Sequence, residues 1–273
     1  MKVTVLGSGS SGNSILVESA GVRLLIDAGF SGRDLERRLH SVDVDASSLT
    51  ALLITHDHGD HTCGMGVAVR RWGIPLFLTE RTRVACARLL NGTEDVRTYS
   101  SAEPLQIGDL LVEPFLTVHD AVDPVAVTVT EIATGEKMGI ATDLGRPTAM
   151  VRHSLRACDL LILESNHDEI MLREGPYPWS VKARIGGSHG HLSNRAAAEL
   201  VSELLHPGLT AVVLAHLSGS SNDPELALDV VGHTLARRRF GGSLQVGMQN
   251  QALEPIDVSA LRRALAPPQL TLL

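Results

Sequence analysis

Polar and apolar side chains alternate along Lys2–Leu6 with the period of two that marks a strand. The run Gly7-Ser8-Gly9-Ser10-Ser11-Gly12-Asn13 ends that strand, Ser14–Glu18 begins a second, and the Ala20-Gly21 turn leads into a third over Val22–Asp27. Ser31, followed by Leu35 and Leu39 four apart, predicts a capped helix reaching about His40. Ala51–Thr55 reads as a short apolar strand and Thr62–Trp72 as a segment turning into a helix, while Pro75–Thr79 and Glu80–Leu90 make a strand and a helix. From Val96 to Asp143 the alternation, broken at Ile107-Gly108-Asp109 and Thr134-Gly135-Glu136, predicts several antiparallel strands.

Beyond Pro147 the pattern lengthens into helical stretches, Thr148–Ala157 and Ser193–Leu205, separated by the apolar strands Leu160–Leu163 and Ala211–Ala215. A β-rich first half, residues 1–146, thus precedes a more helical second half, 147–273, and the 273 residues suit one large domain. Aromatic residues make up only 3% of the chain, so its core must be built from Val, Leu, Ile and Ala, as in sheets covered by helices. The expected class is α/β.

No stretch approaches the roughly 18 apolar residues of a membrane span, and Met1-Lys2-Val3-Thr4-Val5-Leu6 meets glycine too early for a signal peptide. A cytoplasmic protein with no membrane contact is expected. Cys63, Cys86 and Cys158 are scattered, with no CxxC spacing, and read as buried free thiols. The net charge of −7 argues mildly against a nucleic-acid partner, which favours a basic face. The arginines do cluster locally, as at Arg37-Arg38, Arg70-Arg71, Arg81 with Arg83, and Arg237-Arg238-Arg239, and such clusters usually decorate solvated helix faces.

The chemistry concentrates in Thr55-His56-Asp57-His58-Gly59-Asp60-His61, directly after an apolar strand. His56, His58, Asp60 and His61 place four ligand-type side chains within six residues, a density that packing does not require and that suits zinc, manganese or iron. Two metals need further donors at strand ends, and His119, Asp143 and His216 each end an apolar run.

This HxHxDH run, followed in order by His, Asp and His at strand ends, resembles the metallo-β-lactamase superfamily. The resemblance implies a four-layer αββα sandwich holding two divalent ions. It would place His56, His58 and His119 on one ion and Asp60, His61 and His216 on the other, with Asp143 and a hydroxide bridging them. Asp27, in Leu25-Ile26-Asp27-Ala28-Gly29, would support the metal loop. More narrowly, Leu6–Asn13, His119-Asp120-Ala121, Thr142-Asp143-Leu144-Gly145, Glu164–Asp168 and Gly190–Asn194 resemble the YycJ/WalJ group of bacterial 5′-to-3′ DNA exonucleases and, more distantly, RNase Z-like enzymes. DNA ends would then be the substrate. The interval from Asp143 to His216 is too short for the extra domain of RNase J-like nucleases.

A phosphodiesterase reading makes Asp60, His191 and Glu164 the catalytic groups, with His191 protonating the leaving 3′ oxygen and Glu164 orienting its ring. Ser193 and Asn194 would cap the following helix and present its amides to a phosphate. Ser11 and Asn13 belong to a loop that either cradles an anion or simply connects two strands. His191 is alternatively a solvent histidine in a glycine loop. Asn166, His167 and Asp168 are explained by helix capping as readily as by substrate binding, and Tyr177 and Trp179 by proline-rich packing as readily as by base stacking. A competing function, hydrolysis of a small thioester, lactone or cyclic phosphodiester, fits the acidic charge better.

Overall fold

The computed structural model describes residues 1–265, so 266–273, the end of the expected second half, lie outside the described residues. Strands β1 (Lys2–Gly7), β2 (Ser14–Ser19) and β3 (Val22–Ile26) form an antiparallel meander. β3 continues in parallel with β4 (Ala51–Leu53), β5 (Leu76–Thr79) and β6 (Val96–Tyr99). The second sheet runs from β7 (Leu105–Ile107) through the antiparallel β8 (Leu110–Leu116), β9 (Val125–Glu131) and β10 (Lys137–Ala141). It then becomes parallel in β11 (Leu160–Glu164), β12 (Ala211–Ala215) and β13 (Ser243–Val246). The short β14 (Ile256–Asp257) returns to pair with β1, giving each sheet seven strands among the described residues.

The two sheets face each other across a core that draws Val5, Leu24 and Leu53 from one and Val127, Ile162 and Val213 from the other, all fully buried. Each such side chain contributes about 1.5–3 kcal/mol of burial. Helices α1 (Gly32–His40) and α3 (Met65–Trp72) cover the outer face of the first sheet through Leu35, Leu39, Met65 and Ala68. The outer face of the second sheet is covered by α5 (Ala149–Ser154), α8 (Asn194–Leu204) and α9 (Pro224–Arg237), through Val151, Leu200, Val201 and Val231. This is the αββα sandwich expected. Short helices α2 (Gly59–Thr62), α4 (Glu80–Ala85), α6 (Glu169–Glu174), α7 (Trp179–Ile185) and α10 (Val258–Leu265) fill the connections and the end of the described chain.

Several expected elements change on folding. The helix expected over Thr62–Trp72 starts at Met65, and the separate turn α2 precedes it. The break falls at Gly64, where a side chain would overlap the Phe30 carbonyl oxygen. Val96–Tyr99, expected among antiparallel strands, is instead the parallel edge of the first sheet. The sheets also do not divide at 146/147, because β7–β10 join β11–β13 and β14 crosses back. Sequence periodicity reports which face a strand buries and not which partner it finds.

Strand direction then sets the site. β1, β3, β4, β8, β10, β11 and β12 all point the same way within their sheets, and the loops leaving their carboxyl ends meet at one edge of the sandwich.

Candidate metal centre

His56–His61 leave β4, His119 follows β8, Asp143 follows β10, Glu164 ends β11 and His216 follows β12. Asp27, which follows β3, and Asp143 and His216 adopt left-handed backbone with φ of 63°, 58° and 56°. That conformation is unfavourable for side-chain-bearing residues and clusters where a site constrains the chain. It turns the strand ends sharply and so brings their side chains to one point.

The candidate ligand atoms of His56, His58 and His119 lie within 4.8 Å of one another, as do those of Asp60, His61 and His216 and those of His56, His61 and Asp143. His119 Nε2 is 3.3 Å from His58 Nδ1, His216 Nε2 is 3.3 Å from Asp60 Oδ2, and His61 Nε2 is 3.2 Å from Asp143 Oδ2. Donors about 2.0–2.1 Å from a tetrahedral ion stand roughly 3.3–3.4 Å apart, which these separations match. Two buried atoms in the cluster, His56 Nε2 and Asp143 Oδ2, have no hydrogen-bond partner of proper geometry, a costly arrangement that a cation would satisfy. The donor set fits divalent metal ions.

A layer of hydrogen bonds orients these side chains. Asp27 accepts from Thr55 N at 2.8 Å and Thr55 Oγ1 at 2.9 Å, and its Oδ2 lies 2.7 Å from His61 Nδ1, which leaves His61 Nε2 for the cluster. Asp27 thus braces the start and end of the His56–His61 loop. Glu164, fully buried, lies 2.8 Å from His191 Nδ1 and 3.0 Å from His216 Nδ1 through Oε1, and its Oε2 accepts from Leu144 N and Leu192 N at 2.8 and 3.0 Å. The loop bearing His119 is tied to the metal loop by Val122 N donating to Asp57 Oδ1 at 3.0 Å. Gly29 is required where the chain passes the metal loop, since a side chain there would overlap the Asp60 carbonyl.

Electrostatics among the protein's own groups follow from this crowding. Burial lowers the His56 pKa, and the neighbouring His61 adds to the effect. Burial would raise Asp143, but the imidazoles of His216 and His61 outweigh it and hold its carboxyl well below the ordinary range. Burial likewise opposes ionisation of Glu164, yet His191 and His216 hold it at about 2. His191 would be lowered by burial, but the Glu164 carboxylate raises it above its usual value.

Not every sequence candidate comes to the cleft. His191 does, between the cluster and the solvent, and Ser193 caps α8 by accepting from Ala196 N at 3.2 Å. Asn194 is instead buried, its amide engaged by Ser165 and Asn222. In the glycine-serine loop, the backbone amides of Ser8, Gly9, Ser11, Gly12 and Asn13 all donate to protein acceptors, so the loop braces the centre. Asn13 is buried and bonds Gly9 and Asp60, Ser11 is exposed with its amide on Gln249, and Ser10 lines the cleft in its place. Asp168 caps α6, accepting from Ile170 N and Met171 N at 3.0 and 2.9 Å.

The structure adds residues that sequence reasoning passed over. Ser8 Oγ accepts from His216 N at 2.8 Å, Tyr99 donates to Ile54 O at 2.8 Å beneath the metal loop, and Gln249 clamps Ser11 and Gly12 from the far end of the chain. Arg184 stands over the cleft, 3.7 Å from Asp120. Single side chains of these common types carry no sequence signal of their own.

Residues 22–217 match the family model of the β-lactamase superfamily domain. The chain belongs to that superfamily. It is 33% identical over 240 residues to the exodeoxyribonuclease YycJ of Bacillus anthracis, covering 87% of this chain and 90% of that protein. It is likewise 33% identical over 244 residues to the exodeoxyribonuclease WalJ of Streptococcus pneumoniae, covering 88% and 90%. Among solved structures, the metallo-β-lactamase fold protein YhfI of Bacillus subtilis superposes with a TM-score of 0.71 at 20% identity, over 92% of this chain and 98% of that one. The superfamily fold and the clustered His and Asp donors make this a metal-dependent hydrolase.

Proposed function

We propose that this hydrolase is a phosphodiesterase that degrades DNA from its ends in the 5′-to-3′ direction, using two divalent ions, zinc, manganese or iron. The observation that carries the reading is similarity to the YycJ exodeoxyribonuclease over nearly the full length of both chains. His56, His58 and His119 would hold one ion, Asp60, His61 and His216 the other, and Asp143 would stand between them. When bound, the ions supply Lewis acidity toward a phosphoryl oxygen and lower the pKa of water.

The chain's own groups do the rest. His191 Nδ1 is committed to Glu164, so Nε2 is the ring atom available at the cleft, placed to give a proton to the leaving 3′ oxygen. The Glu164 carboxylate favours the protonated ring that this role needs. Asp60, partly exposed beside His216, completes the charged wall facing the scissile phosphate. No helix among the described residues is long and apolar enough to cross a membrane, and the three cysteines are free thiols, which suits work on DNA in a reducing cytoplasm.

The test is incubation of Mn²⁺- or Zn²⁺-loaded protein with end-labelled single-stranded and duplex DNA bearing 5′-phosphate or 5′-hydroxyl ends. Processive loss of the 5′ label as mononucleotides is expected. Intact DNA alongside hydrolysis of a chromogenic thioester would instead assign the centre to small-molecule substrates.

A further inference from the structure

Beside the metal cleft, on the far side of His191, lies a groove of about 620 Å³ walled by Arg146 and Pro147, α6, α7 and the start of α8. Helix α7 partitions the two spaces: Trp179, Lys182 and Ala183 line the groove, whereas Val181, Arg184 and Ile185 line the cleft. His191 borders both. The groove therefore adjoins the cleft at His191.

Its lining is unusual for this molecule. Leu172 and Leu192 give it an apolar wall, and Trp179 at its edge is 80% exposed, in a chain with two tryptophans. Its charged members are Arg146, Arg173, which pairs with Glu174 at 3.3 Å, and Lys182, which donates to the Arg173 carbonyl at 2.7 Å, against Glu169, which is already engaged by Arg195 at 3.2 Å and Ser193 at 3.1 Å. Arg146 has no ion-pair partner among the described residues. Several arginines of the sequence clusters are tied to structure, Arg38 over the Phe30 ring, Arg70 to Glu94 and Arg83 to Glu80, whereas Arg146 stands free at the groove. His167 supplies a second, independent sign of a ligand. Its ring is 4% exposed, lines the groove, and has a buried Nδ1 with no hydrogen-bond partner.

We propose that this groove is a nucleobase pocket: it takes the nucleoside next to the scissile phosphate of a single-stranded DNA end, with the base on the Trp179 indole and neighbouring phosphates on Arg146 and Lys182. His167 meets a polar edge of the base. The inference rests on the nuclease reading and deepens it. The volume falls in the range of small-ligand sites and suits a splayed nucleotide. A base paired in a duplex cannot leave its partner to enter the groove, and its polar edge is taken up by pairing and is not free for His167, so blunt ends must fray before they are held. The local excess of basic groups also reconciles a phosphate-bearing substrate with a net charge of −7.

The probe is a 5′-phosphorylated, phosphorothioate-linked pentathymidylate added to the metal-loaded full chain. Trp72, the last residue of α3, is partly buried against the core and does not line the groove, so quenching of tryptophan emission reports Trp179. Quenching is expected, and a dye-labelled copy followed by anisotropy should bind Trp179→Ala roughly tenfold or more weakly, with Trp179→Phe near wild type. Arg146→Ala should bind more weakly with a shallower salt dependence, and a blunt duplex of matching sequence should bind less tightly than the single strand. Absence of quenching, or unchanged affinity in Trp179→Ala, overturns the pocket. If quenching is absent while end-labelled DNA is still degraded, the nuclease stands without the pocket; if quenching occurs but no DNA is degraded, the nucleotide pocket stands and the exonuclease reading falls.

Discussion

Replacing Glu164 by Gln removes one charge without changing side-chain shape, yet it should weaken both metal retention and the fold. The ionised carboxylate accepts from four buried donors: Nδ1 of His191 and His216, and the backbone amides of Leu144 and Leu192. A glutamine offers one oxygen and one NH₂ group. If the oxygen stays on the imidazoles, two backbone N–H groups face another donor. If the amide flips, His216 must accept at Nδ1 and so carry its proton on Nε2, the atom 3.3 Å from Asp60 that belongs to the metal cluster. Either orientation leaves two unfavourable contacts, each costing about 1–3 kcal/mol, or roughly 2–6 kcal/mol together. For a chain of this size that is a fall of roughly 5–20 °C in Tm. Loss of the orienting partner of a ligand should also weaken metal binding about 10- to 100-fold. Calorimetry and competition against a chelating dye would measure the two effects. A variant with unchanged Tm and unchanged metal affinity would show that the four contacts are not the support assigned to them here.

Other outcomes follow from the same geometry. His58→Ala, which removes a partly exposed candidate ligand at the cleft, should lower hydrolysis by about 10³-fold or more while leaving the far-UV circular dichroism spectrum unchanged; a fully active variant would remove His58 from the candidate metal set. Thiol titration of the native protein should detect Cys63 alone, because Cys63 is exposed, contrary to the burial expected of all three thiols, whereas Cys86 and Cys158 are buried and burial pushes the Cys158 thiol up to about 12; two fast-reacting thiols would contradict the packing. Glu94 accepts from Asn91 N and Gly92 N and pairs with Arg70, which together overcome its burial and hold its carboxyl at about 2. Because this value is depressed, its stabilisation is complete above the ordinary glutamate range and vanishes as pH falls from about 4.5 toward 2. After allowance for solvent screening, Glu94→Gln should cost about 1 kcal/mol at pH 7 and almost nothing near pH 2, and a pH-independent Tm difference would refute the assignment.

Much of the architecture was legible along the chain because one-sided burial imposes a period. β1, β2, β3 and β12 appear where alternation or a short apolar run placed them, and α1 and α8 start at the serines expected to cap them. The parallel pairing of β5 with β6, the crossing back of β14 and the break at Gly64 were not legible, since each depends on a partner distant in sequence or on the space left by Phe30. The basic groove of α6 and α7 was equally hidden. Arg146, Lys182 and Trp179 carry no joint signature until folding sets them around one cavity.

The sequence by itself determined the chemistry. His56, His58, Asp60 and His61, and later His119, Asp143 and His216, are a set of donor types that local order alone makes conspicuous. Tertiary structure decided their arrangement and their neighbours. It placed five strand ends at one edge, turned Asp143 and His216 inward through left-handed backbone, and shared one buried carboxylate, Glu164, between His191 and His216. The physical reason is that donor identity is a property of single side chains, whereas a site exists only where backbone direction and burial bring donors within a few ångströms of each other.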